Sequence, residues 1–539
     1  MAGAVVRPTI LARIFQRKPV EMIHAETDHG ELKRSLGALN LVLLGIGCII
    51  GTGIFVLTGH AAAEWAGPAI MISFVLTGIL CGFVALCYAE LASALPVSGS
   101  AYSYSYASMG EIVAWIMGLL LLLEYGLAAS TVAVGWSGYL TSLLHDNLGI
   151  TIPQALTAAG PIKVNGVIVG HGIMNLPAML GIAAVTGLLI VGVSESATVN
   201  NIIVFIKLAV VIAFIAIGSF FVHPALWHPL IPPQSPPPPP GTPMDMGHQI
   251  VRALVDVITG AKSSHYGLGG MIHGAAVIFF AYIGFEAVST AGAESRNPGR
   301  DMPIGILGAL VICTVLYIAT CAVLVGIVPY ALLDGPAPIA TAVNRMAVES
   351  NDPYIGWFAI AVKIGAIAGL SSVMLVLLYG QTRIFYTMSH DGLLPSHLAV
   401  VSKRFMTPWI NTIIVGVAAA AAAGFMSLEA LSDLTNVGSL AAFAIVCATV
   451  IYLRVTHPAM ARPFRTPLYP LVPIMGVLMC LFLLMSLMAV PVTRNFFLFY
   501  MAAGVVVYFA FGLWNSKLGR GIATPPDALA GMEAPHVEP

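Results

Sequence analysis

The chain has 539 residues, of which 58% are hydrophobic and only 9% charged, with a mean hydropathy of +0.92. A soluble globular domain would carry roughly 25% charged residues, so the composition excludes one and describes a polytopic membrane protein. A net charge of −1 provides no basic face for phosphates, which excludes nucleic acid as a partner.

In chain order, the first 35 residues are polar and basic and read as a cytoplasmic tail with no cleavable leader, so the first span is expected to direct insertion itself. Apolar runs long enough to cross a bilayer follow near 36–60, 68–95, 110–142, 174–194, 197–222, 269–296, 301–329, 355–389, 408–426, 431–454, 471–490 and 496–516. The expected fold is therefore all-α and integral to the membrane, with twelve transmembrane helices. Sixteen of the 23 Lys and Arg fall in the predicted inner segments, five in outer ones, and Lys207 and Lys363 within spans. That bias puts both termini in the cytoplasm. The loops 143–173 and 223–268 are predicted outside, the second with a spacer-like run from Pro236 to Pro240, and a polar tail closes the chain over 519–539. The seven cysteines (48, 81, 87, 313, 321, 447 and 480) lie in apolar runs without metal-ligand spacing, so they are read as core hydrophobes, and neither metal nor cofactor is expected.

The first span breaks the rules of a membrane anchor. Gly45, Gly47, Gly51 and Gly53 sit at its centre, and Gly51-Thr52-Gly53 gives a backbone able to leave the helical path. Opened backbone is tolerated at membrane depth only where it faces a protein-lined cavity, so the break points to a ligand. Five spans later the run from Ala275 to Glu286 is interrupted by Gly284 and a carboxylate. Spans one and six run antiparallel, and paired breaks of this kind mark an inverted repeat, here 36–222 against 269–456, with 457–518 outside it.

Two ionisable groups lie deep in spans. At 1.5 Å per residue, Lys207 is ~15 Å into span five and Glu124 about 18 Å into span three. A charge at such depth must be paired or lost. Glu286 is read either as a site residue or as a cap on the re-entry of span six. Ser371 and Ser372 on span eight are read as helix-packing serines that would approach Lys207, Lys363 as a snorkelling lysine, and Tyr102, Tyr104 and Tyr106 as interfacial belt aromatics.

Gly47 to Phe55, Tyr88 to Ala92 followed by Pro96 to Tyr102, Phe280 to Glu286, Glu294 to Pro298, and Gly380 to Ser389 together resemble the amino acid, polyamine and organocation permeases, with the cationic amino acid transporter group and its bacterial members as the closest branch. The resemblance spans about residues 30 to 515. It implies a five-plus-five inverted repeat with helices 1 and 6 broken (a LeuT-like fold) and a secondary transporter, not an enzyme. The substrate carboxylate would sit on Gly51, Thr52 and Gly53, and its ammonium on carbonyls near Ile49, Phe280, Ala281 and Ile283. The resemblance also implies that Lys207 lies against span one where sodium-coupled relatives hold an ion, so that its protonation would couple transport to protons, and that Glu124 lines the substrate cavity. Met374, Leu377 and Leu378 point to an apolar side-chain pocket, hence import of a neutral amino acid with a proton across the plasma membrane. Glu124 leaves a cationic substrate open, exchange is an alternative mode, and a channel is the rival class. Against a channel, one lysine and mixed acids make no single-sign ring.

Overall fold

The computed structural model describes residues 10–19, 35–97, 99–164, 167–192, 197–235, 246–259, 265–402, 404–405 and 407–521. The proline run 236–240, the tail from 522 and the basic residues Arg7, Lys33, Arg34, Lys262 and Lys403 lie outside them.

A short helix α1 (Ile10–Ile14) precedes α2 (Ala38–Ile49), which stops at the glycine-rich break, and the chain continues as a π/α half-helix over 53–66. Then come α3 (Ile70–Ala94), the short α4 (Ser100–Ser108), α5 (Glu111–Leu148), a hairpin β1 (Gly160–Val164) and β2 (Val167–Gly172), α6 (Leu176–Val191) and α7 (Ala197–Gly218). Next are α8 (Met246–Thr259) and α9 (Gly267–Ile278), the latter running into a 3₁₀ turn Phe279–Tyr282 and, beyond a break, a second 3₁₀ segment Glu286–Glu294. The chain ends with α10 (Pro298–Ile327), α11 (Pro338–Ser350), α12 (Pro353–His390), α13 (Trp409–Phe425), α14 (Leu428–Thr456), α15 (Leu471–Met488) and α16 (Pro491–Val507). Among the described residues nine helical stretches are long and apolar enough to cross a membrane, and α2, α6 and α13 are shorter apolar helices.

Large apolar side chains on the periphery, such as Val311, Val315, Leu478 and Phe499, are 55–76% exposed. In water that surface would aggregate; in a bilayer hydrocarbon is the solvent, so the periphery needs no polar cover. The interior is equally apolar, and the 38-residue helices α5 and α12 pack together along it. All seven cysteines are free thiols, and all but the half-buried Cys48 are buried.

Buried polar groups sit in local networks at the span ends. Glu90 on α3 accepts from Arg454 Nε and Nη2 on α14 at 3.0 and 2.6 Å and from the Thr466 backbone N–H at 2.7 Å, with Arg462 3.4 Å away. Removing one member strands a charge in a dry site. Arg454→Ala is expected to cost about 3 kcal/mol of stability, with Arg454→Lys intermediate, as read by thermal unfolding in detergent.

Three readings need correction. Tyr102, Tyr104 and Tyr106 are not belt aromatics: each is at most 3% exposed. Tyr102 Oη donates to Asp391 at 2.8 Å and Tyr106 Oη to Glu111 at 2.8 Å. Asp391 also takes Lys18 Nζ at 2.7 Å, which ties the segment after α1 to the end of α12. Lys363 does not snorkel to water, because its side chain is fully buried and its ammonium donates to Asp146 at 2.9 Å and Asn147 at 3.2 Å. The loops 143–173 and 223–268 are not plain connectors. The first holds the hairpin of β1 and β2, and the second holds α8.

Candidate functional site

The two breaks face each other. At Gly53 an added Cβ would lie 2.2 Å from Ala281 Cα, so only glycine allows the half-helix 53–66 to rest on the end of α9. Gly284 has φ +123°, and a Cβ there would lie 2.7 Å from the carbonyl carbon of Cys48. The open backbone is largely answered from neighbouring helices, as a non-aqueous site demands. Tyr317 Oη donates to Ile49 O at 2.7 Å, Lys207 Nζ to Gly47 O at 2.9 Å and Tyr139 Oη to Phe55 O at 2.6 Å. On the other broken span Asn436 Nδ2 donates to Ala276 O and Val277 O at 3.1 and 3.0 Å, and the Ile283 N–H donates to Phe280 O at 3.2 Å.

Between the breaks lies a small, partly open cavity. Ile49, Gly51, Thr52, Gly53, Phe280 and Ile283, all singled out from the sequence, line it. Cys48, Ala128, Val132, Val373 and Leu377 complete the wall, and no charged residue is among them. Thr52 supplies a buried hydroxyl without a hydrogen-bond partner among the described residues. A helix start leaves its first N–H groups without intrahelical acceptors; here the Phe55 N–H already donates to Gly51 O at 3.3 Å, and those of the residues just before it make this end of the cavity suit an anion.

The other candidates lie off the wall. Ala281 backs onto Gly53. Of the three α12 residues read as an apolar pocket, Leu377 lines the cavity, while Met374 and Leu378, each 1% exposed, do not; Val373, one turn before Leu377, takes the remaining place on the wall. Ser371 accepts from Trp136 Nε1 at 2.9 Å and donates to Ile367 O at 2.8 Å, and Ser372 donates to Gly369 O at 3.1 Å, so both serines are used in packing. Glu286, the first residue of the re-entering segment, accepts the Gly284 N–H at 2.7 Å, a bond back across the break rather than a cap on that segment's own N–H groups. Its other oxygen, Oε1, has no partner among the described residues. Glu124, on α5 against Gly438 and Ser439 of α14, is fully buried, and among the described residues neither carboxyl oxygen makes a hydrogen bond of good geometry, with the Ser439 hydroxyl the nearest donor. Lys207 is 1% exposed, its stem laid on Gly369 of α12 and its ammonium on α2.

The missed wall residues Ala128 and Val132 had a signal. They follow Glu124 at i+4 and i+8, the spacing of one helix face.

A family model described as amino acid permease matches residues 36–511. The chain is 42% identical over 512 residues to a methylthioribose transporter of Bacillus subtilis (strain 168), covering 95% of this chain and 100% of that one. It is 41% identical over 508 residues to the branched-chain amino acid permease BcaP of the same organism, covering 94% and 99%. To the vacuolar cationic amino acid transporter 4 of Arabidopsis thaliana it is 36% identical over 450 residues, covering 83% and 68%.

Proposed function

The chain belongs to the amino acid permease family, and on that premise we propose that it imports neutral, branched-chain-sized L-amino acids with protons by alternating access. The carrying observation is the cavity itself: helix N-terminal N–H groups at one end and, among its lining residues, no charge but an apolar wall of Ala128, Val132, Ile283, Val373 and Leu377. An amino acid's carboxylate fits the first and an aliphatic side chain the second. The names of the two BcaP relatives, 41% and 32% identical, agree with such a substrate.

On this reading twelve spans form a five-plus-five inverted repeat of the LeuT-like type. Both termini are cytoplasmic, the membrane is the bacterial plasma membrane, and the half-helix 53–66 lies on the outer side. The substrate ammonium meets backbone carbonyls near Ile49 and Phe280; each already accepts one hydrogen bond and keeps a second lone pair. Lys207 is the coupling group. It is buried, it touches the broken helix through Gly47 O, and a charge there is costly enough that releasing its proton changes how span one is held.

A second reading, a cationic substrate, is favoured by the unpartnered carboxyl of Glu124. Uptake of labelled leucine into proteoliposomes, with unlabelled leucine, arginine and methylthioribose as competitors, decides between them. Leucine should compete at least about tenfold better than arginine, which corresponds to 1.4 kcal/mol of discrimination. Preference for arginine would overturn the neutral assignment, preference for methylthioribose would overturn an amino acid substrate, and single-channel currents would overturn the carrier.

A further inference from the structure

Away from the cavity, a buried histidine joins three separate elements. His60, in the half-helix 53–66, is 8% exposed, and its Nδ1 is 2.9 Å from Asp334 Oδ1 in the loop after α10. From the first turns of α14, Glu429 and Asp433 act on the same ring, and Glu64 does so from one turn further along its own half-helix. Asp433 is itself 3% exposed. Among the described residues, a basic group from another segment faces this half-helix: His265, stacked on Trp65 with ring centroids 4.7 Å apart, has its Nδ1 2.6 Å from Glu64 O and 3.9 Å from Glu64 Oε2, so Glu64 is already shared. On α9, His273 is turned onto Trp65, ring centroids 4.0 Å apart, and onto Ser486, while Arg345 and Glu349 of α11 are on that helix's exposed side. Tyr317 of α10 is engaged with Ile49 O.

The ring nitrogen opposite Asp334 is the informative atom. His60 Nε2 is buried and has no hydrogen-bond partner among the described residues. Most buried side-chain nitrogens are hydrogen-bonded, so the open one calls for an explanation. One nitrogen held on the Asp334 carboxylate and the other unpartnered among the described residues, with further carboxylates near enough for their charge to act on the ring, is an arrangement that lets the ring gain and lose a proton.

We infer that His60, with Asp334, Glu429 and Asp433, forms an outer-face proton-binding site, distinct from the coupling site at Lys207, that sets how external pH governs access to the cavity. A proton from external water adds at Nε2 while Nδ1–H stays on Asp334, and the ring changes from neutral to cationic. The cation is attracted to carboxylates on the loop after α10 and on α14, so it pins the half-helix 53–66 against both and favours the outer-closed state. Loss of the proton releases that hold. The inference goes beyond the symport reading; it rests on the proposed orientation that puts 53–66 on the outer side and requires that this half-helix moves during transport.

The test is counterflow, which needs no proton drive, in oriented proteoliposomes at fixed lumenal pH. The probe is whichever of leucine, arginine and methylthioribose the wild type carries. Between external pH of about 8 and about 5.5, the range across which histidine titrates, the wild-type external KM should change by about fivefold or more. His60→Gln should match the wild type at the higher pH and stay flat on acidification, and Asp334→Asn should reduce the pH response. A wild type whose KM ignores external pH overturns the inference. So does a His60→Gln variant that keeps the wild-type profile or is impaired equally at both pH values, the mark of a packing residue. Gradient-driven accumulation in His60→Gln separates this site from coupling: it should persist, and its loss would merge His60 with the coupling machinery and overturn the distinction.

Discussion

Proteoliposomes carrying Lys207→Ala are expected to bring labelled substrate to its external concentration and no further, while the wild type accumulates it about tenfold for each unit of imposed pH gradient. The wild-type figure follows from one proton per substrate, because one pH unit is worth 1.36 kcal/mol. Exchange should survive in the variant, since Lys207 is not on the cavity wall. The physical case is geometric: the ammonium has crossed from α7 to donate to Gly47 O, four residues before the break, and sits where hydration is denied to it. With a proton it holds α2 by a charge-assisted hydrogen bond; without one the bond weakens and the charge penalty disappears. Lys207→Arg separates coupling from mere support. Arginine can still donate to a carbonyl but does not release its proton, so a supporting role would be rescued and a coupling role would not. Accumulation by Lys207→Ala against its gradient would sink the assignment and direct attention to Glu124 and Glu286.

The two breaks were legible in the sequence because glycine in the middle of an apolar span has no reason to be there except backbone exposure or close approach. The bounds of the apolar runs were legible for a similar reason: twenty-odd residues without charge have few alternatives. The phase of α12 was not. Val373, Met374, Leu377 and Leu378 are all apolar and none is more than 9% exposed, so this greasy stretch gives no period from which to keep Leu377, add Val373 and discard Met374 and Leu378. Long-range polar partners were equally hidden. Tyr102 finds Asp391 289 residues away, Lys363 finds Asp146 217 residues away and His60 finds Asp334 274 residues away, and no local pattern announces any of them. For the tyrosines and Lys363 the local reading treated the side chain as lying at the membrane interface, whereas a partner far along the chain changed its environment.

Gly53→Ala is expected to lower substrate affinity by about tenfold or more and to destabilise the fold by about 1–3 kcal/mol, the range for an atom forced into a full space. Ligand binding and thermal unfolding of the same detergent-purified sample would read both. The added methyl would sit 2.2 Å from Ala281 Cα, which is backbone and cannot rotate aside, so the two broken spans must part and the cavity between them must change shape. Gly51→Ala is the internal comparison. Its methyl would meet Val373 Cγ1 at 3.3 Å, a side-chain contact that can yield by a few tenths of an ångström, so the loss should be several times smaller. Both positions flank Thr52 on the same cavity, so a general intolerance of the break would penalise them alike. A double variant sharpens the point: Ala281→Gly removes the methyl 2.4 Å away but leaves the Cα, and should not rescue Gly53→Ala. Rescue would mean that side-chain crowding, not the approach of one backbone to the other, sets the spacing of the two half-helices.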